Sequence, residues 1–131
     1  MDGEDSMVLA EWPDHFPACC PPADADDLSG DVLVLVAADP PGRGDFASAA
    51  ERGVFKDADP CLRAGMSCAR EQGHLVDLRR NTRRLRNHKI ACAALTGEHG
   101  KIKKTLGAGH YTMWLRRHAL DAAPSLFRVS A

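Results

Sequence analysis

The sequence has few aromatic residues, few bases in its first half and no long apolar run, and each shortage narrows the field. Its longest strongly apolar stretch, Val32–Ala38, falls far short of the roughly 20 residues that span a bilayer, so no membrane association is expected. The opening MDGEDSM is acidic and lacks the basic start of a secretory signal. No two cysteines stand at the two-residue spacing of a structural zinc knuckle. Groupings such as Cys61 and Cys68 with His74, or Cys19 and Cys20 with His15, therefore define no metal site, and no cofactor is expected. The loop Pro41–Gly44 precedes a short helical stretch, yet it has neither the lysine of a P-loop nor the glycine triplet of a dinucleotide fingerprint.

What remains is an ordinary globular composition. The chain has 131 residues, 44% apolar and 27% charged, enough for one core. Five cysteines form an odd set, which reads as reduced thiols in a cytoplasmic protein rather than as a disulfide scaffold. Cysteine–histidine catalysis needs a thiol, an imidazole and an orienting group, and five cysteines with six histidines single out no pair.

The net charge of −1 conceals a division. Residues 1–59 hold fourteen acids against Arg43, Arg52 and Lys56, while residues 60–131 hold fourteen bases against Glu71, Asp77, Glu98 and Asp121. Either the halves neutralise each other in the fold, or the basic half meets an anionic partner.

Residues 1–30 read as an acidic, proline-rich arm, with Pro13, Pro17, Pro21 and Pro22 forbidding regular ladders, and with Trp12 and Phe16 lying on the domain formed by residues 31–131. Asp31–Asp39 is β-branched and uncharged between its ends, the pattern of a buried strand. Asp45 is expected to cap a short helix that Gly53 stops. Residues 62–69 read as a strand or a turn. From Arg70 to Asn87, Leu75, Leu78, Thr82 and Leu85 recur at helical steps, with Arg79, Arg83 and Arg86 along another side and Arg80 and Arg84 beside them. The period then changes to two, and residues 89–96, 101–105 and 110–115 read as a three-stranded meander, with residues 125–130 as a last strand. The expected architecture is α+β: a small antiparallel-rich sheet, the meander plus the buried strand near the N-terminus, with two helices on one face.

Direct pairing across the two glycine-bearing turns places Lys103 opposite Thr112 and Ile102 opposite Met113. Alternation then puts Leu95, Ile102, Tyr111, Met113 and Leu115 on a core face under the arginine helix. The other face gathers Ala94, Thr96, Lys101, Lys103, Thr105, His110, Thr112 and Trp114. Lysines and hydroxyls suit phosphate oxygens, an indole suits stacking, and an imidazole suits proton transfer near neutral pH.

Two functions follow. The first is an interaction module whose basic half binds an acidic protein surface or a nucleic acid through Lys101, Lys103, Thr105, Trp114, Arg79, Arg83 and Arg86. The second is a small enzyme for a phosphate-bearing or nucleotide substrate, with His110 moving a proton, Lys103 and Thr112 on an oxyanion, and Trp114 stacking.

Overall fold

The computed structural model describes residues 11–131; the first third of the expected arm, residues 1–10, lies outside them. Among the described residues seven strands form in chain order: β1 (Asp26–Asp27), β2 (Gly30–Val36), β3 (Met66–Cys68), β4 (Lys89–Leu95), β5 (Gly100–Lys104), β6 (Tyr111–Leu115) and β7 (Arg128–Val129). The helices are α1 (Ala49–Arg52), α2 (Pro60–Ala64), α3 (Gln72–Asn81) and α4 (Arg117–Leu126), with tight helical turns at Arg43–Phe46 and Arg83–Leu85. The fold is α+β, built on two antiparallel sheets, one ordered β1-β5-β6-β3 and the other β2-β4-β7.

The expected three-stranded meander is therefore two-stranded. β5 and β6 pair in the expected register, Lys103 opposite Thr112 and Ile102 opposite Met113, but β4 crosses to the second sheet, where it pairs with β2 over seven residues and with β7. The reason lies in β2. Val32, Val34 and Val36 project to one side and Leu33 and Leu35 to the other, so this strand needs a partner buried on both faces, and β4 supplies one with Ala91 and Ala93 on the first side and Ile90 on the second.

The main core fills the space between the sheets. It takes Val32, Val34, Ala91 and Leu95 from the second sheet and Met66, Cys68, Ile102, Met113 and Leu115 from the first. Phe46, Ala119, Leu120 and Phe127 close it. Ala119 and Leu120 mark a correction: residues 117–126 are a helix, and only Arg128–Val129 beyond them pair as strand. Ala119, Leu120 and Ala123 fall at helical steps into the core, and Pro124 sits in the last turn, where it forgoes one hydrogen bond without breaking the helix.

The arginine helix is shorter than its periodicity implies and packs elsewhere. α3 ends at Asn81 because Thr82 is extended (φ −124°, ψ 109°). Leu75, Val76 and Leu78 rest on Leu33, Leu35 and Ile90, on the outer face of the second sheet, so α3 does not cover the β5–β6 face. The helices accordingly do not share one face. Asp45 does not cap α1. Its carboxylate accepts from the Ala37 and Gly42 N–H groups, each at 2.8 Å, while Ser48 and Glu51 form the capping box and Gly53 closes the helix with a left-handed φ of 70°, as expected.

Two seams join the sheets. β1 and β2 belong to one extended run that bends at Gly30 (φ +92°), pairing with β5 before the bend and β4 after it. At the other seam Leu33 and Ala69 exchange both backbone hydrogen bonds at 2.9 Å. Beyond this bridge Leu35 of β2 and Ser67 of β3 have no strand partner between them, and the sheets splay apart.

Gly65, just before β3, passes so close to β6 that a Cβ there meets Thr112 Cγ2, with Trp114 Nε1 at 2.9 Å and the Met113 carbonyl at 3.0 Å. Gly65→Ala is expected to cost about 1–3 kcal/mol through this overpacking, read as a lower midpoint in urea unfolding.

Candidate functional site

The outer face of the β5–β6 hairpin is the surface on which the sequence converges lysines, hydroxyls, imidazole and indole. Its phase is as expected: Met113 is fully buried in the core and Trp114 projects the opposite way. Ala94 and Thr96 are absent from it, because β4 lies in the other sheet.

The face divides into a closed and an open end. At the closed end Trp114 is 0% exposed. Its indole N–H donates to the Cys61 carbonyl at 2.8 Å, and Cys20, Ala25 and Ala64 cover it, flanked by Trp12, Phe16 and Leu62. The arm is thus a strap over the tryptophan. A Cys20–Cys61 disulfide staples it to α2, correcting the expectation that all five thiols are reduced. Lys101 pairs with Asp27 at 2.9 Å and Lys103 with Asp24 at 2.8 Å. Arg117 meets Glu11 and Asp14, and the Arg116 guanidinium lies over the Trp12 ring at 4.4 Å. The hydrogen bond from Lys103 lowers the Asp24 carboxyl below its ordinary value, and that from Lys101 does the same for Asp27. Pairs this exposed add little stability each; they place the strap and neutralise both platform lysines.

At the open end, His110 Nε2 is 3.0 Å from the Ser67 hydroxyl, and Nδ1 is 3.1 Å from the Thr105 hydroxyl and 3.2 Å from the Thr105 carbonyl. The Thr105 hydroxyl continues to that of buried Thr112 at 2.7 Å. Ser67 reaches this face because β3 pairs Ser67 with Thr112. Burial lowers the His110 pKa from its ordinary 6.5, with His74 nearby acting in the same direction against the Thr105 backbone hydrogen bond. The imidazole is therefore neutral at neutral pH.

This network borders a cleft of about 750 Å³ that occupies the splay between β2 and β3. Val34, Leu35, Met66, Leu75 and Leu78 make it apolar within, and Arg52, Arg63, Arg84, His74 and His88 line its margin. Asp45 is the one acid among the described lining residues, and its oxygens are committed to backbone N–H groups. Phe55 and Leu106, the large apolar side chains left exposed among the described residues (65% and 75%), both line this cleft. Each holds a left-handed φ, 54° and 53°, a conformation that costs a non-glycine residue about 1–2 kcal/mol.

The arginine set is dispersed. Arg79 donates to the His88 and Ala131 carbonyls, whereas Arg83 and Arg86 lie exposed beyond the end of α3. Lys103 and Thr112 stand opposite each other on the hairpin, but the first is held by Asp24 and the second is 4% exposed. His110 is the sequence-derived candidate that reaches open space together with a second reactive group. Cys68 also lines the cleft, yet burial pushes its thiol up to about 12, which makes it inert as a nucleophile. No group of three metal-ligating side chains converges among the described residues. Ser67, Arg52, Arg63 and the apolar lips were missed by sequence reasoning; the one available signal was the strand-or-turn stretch at residues 62–69. No family model, curated protein or solved structure matches the chain, so function rests on this geometry.

Two outcomes are expected. Because the folded pKa of His110 is lowered, the unfolded chain binds more protons in the window just below 6.5. Stability therefore falls as pH drops through that window, and His110→Gln removes this part of the pH dependence in urea unfolding. Replacing the Cys20–Cys61 pair by serines is expected to cost about 2–5 kcal/mol. In a Trp12→Phe background it should also raise acrylamide quenching of Trp114 fluorescence, since the strap loses its staple.

Proposed function

We propose that the chain is a binding module for a small amphipathic anion, seated in the cleft between β2 and β3. The observation that carries this reading is the pairing of an apolar cleft of about 750 Å³ with a margin of arginine and histidine. Pockets for small ligands fall in this size range, lined by apolar groups with a few polar ones. Strain held at Phe55 and Leu106 supports it, since left-handed backbone at bulky residues persists where function keeps a side chain in place. The expected negative charge of the partner is kept, but a small ligand takes the place of the acidic protein surface or nucleic acid, and its seat moves from the strapped hairpin face to the cleft.

A nucleic-acid or acidic-protein partner is the second reading, favoured by Arg83, Arg84 and Arg86, which are exposed and pair with no carboxylate among the described residues. The reduced-thiol argument for a cytoplasmic location loses its basis with the Cys20–Cys61 bond, because disulfides persist mainly in oxidising compartments.

Anilinonaphthalene sulfonate, an apolar fluorophore carrying one anionic group, tests the cleft. It is expected to bind with a fluorescence rise, and Arg52→Glu with Arg84→Glu to weaken it about tenfold, the equivalent of ~1.4 kcal/mol. Dye binding untouched by both reversals overturns the proposal, and displacement of the dye by a short DNA duplex transfers it to the second reading.

A further inference from the structure

We infer that Ser67 and His110 form a nucleophile–base pair for acyl transfer, taking a small carboxylic ester with an apolar acyl chain; this rests on the cleft being the binding seat. A nucleophilic serine needs a base within hydrogen-bond reach and a third group that fixes the base. All three are present: Ser67 Oγ at 3.0 Å from His110 Nε2, and the Thr105 carbonyl at 3.2 Å from Nδ1. A carbonyl oxygen only accepts, so the hydrogen bond to Thr105 places the ring proton on Nδ1 and leaves the Nε2 lone pair facing the serine O–H. The base and its orienting group are locked together, because Thr105 N–H donates to the His110 carbonyl at 3.0 Å across the hairpin turn. Thr112 fixes the Thr105 hydroxyl from below.

The cleft supplies the rest. Ala69 turns its N–H and C=O toward Leu33, so alternation along β3 turns the N–H of Ser67 to the same side, where β2 has splayed away and pairs with nothing there. That N–H is a donor for an oxyanion formed at the Ser67 hydroxyl. The groups facing His110 are His74 on α3 and the hydroxyls of Ser67 and Thr105. Arg52, Arg63, Arg84, His88 and Asp45 stand further round the lining.

In the reaction Ser67 Oγ bonds to the ester carbonyl carbon while its proton passes to His110 Nε2. The tetrahedral adduct collapses, the carbon–oxygen bond to the leaving alcohol breaks, and the alcohol departs with that proton. Water then adds to the acyl-serine, giving a proton to Nε2. Collapse releases the carboxylic acid, and Nε2 returns its proton to Ser67. No oxidant or metal enters the balance.

The test uses the full chain with p-nitrophenyl butyrate, alongside anilinonaphthalene sulfonate binding and intact-mass analysis after treatment with diethyl p-nitrophenyl phosphate. Expected results are hydrolysis above the buffer rate and one diethylphosphoryl adduct on Ser67. Ser67→Ala and His110→Gln should lower kcat/KM about a hundredfold, while the dye still binds because Arg52 and Arg84 are untouched. The kcat/KM profile should rise through a pH below the ordinary histidine value. Turnover by Ser67→Ala within twofold of the parent overturns the inference, as does a parent chain that binds dye but neither hydrolyses ester nor takes the adduct. Absence of dye binding with intact turnover sinks the binding proposal instead.

Discussion

An indole placed on the outer side of a two-stranded hairpin has to be covered, and the burial of Trp114 organises much of what surrounds it. Fully burying a side chain of this size removes a large apolar area from water, but the indole N–H must then find an acceptor. The Cys61 carbonyl meets that need at 2.8 Å, which fixes α2 over the sheet. Gly65 lets the backbone leave α2 and enter β3 against β6. The disulfide and the carboxylates of Asp24 and Asp27 then hold the strap in place. One buried ring thus ties three distant parts of the chain to one face.

The same arrangement explains why the face has two chemistries. Cover ends where α2 ends. Past that point Thr112, Thr105, His110 and Ser67 satisfy one another in a chain of hydrogen bonds, and the splay of β2 from β3 opens a cleft beside them. The strap takes the cations Lys101 and Lys103 out of play, while the arginines that remain available belong to the cleft margin and to the end of α3. Charge segregation along the sequence is therefore resolved in part within the molecule and in part left at the cleft.

Legibility from sequence followed the range of the interactions. The β5–β6 register was readable because a short glycine-bearing turn and strict alternation act within sixteen residues, so Met113 inside and Trp114 outside follow from local rules. The bulk of α3 was readable from Leu75 and Leu78, but not its end at Thr82, where no proline or glycine announces the stop. The partner of β4 was not readable, because its competition between β5 and β2 is decided by the two-sided apolarity of a strand some sixty residues earlier. α4 was hidden by Pro124, which reads as a breaker unless its place in the final turn is known. Ser67 lay within a stretch readable only as strand or turn, and nothing local linked it to His110: its pairing with Thr112 makes the two neighbours.

Order of synthesis gives the strap a further meaning. The strap precedes the lysines it pairs with by 74 and 79 positions, and a chain emerges N-terminus first at roughly 5–20 residues per second. Cys61 also precedes those lysines in the chain, so both sulfurs of the staple are synthesised before the hairpin it fastens. Until Lys101 and Lys103 are made, Asp24 and Asp27 lack the ammonium groups they pair with in the fold.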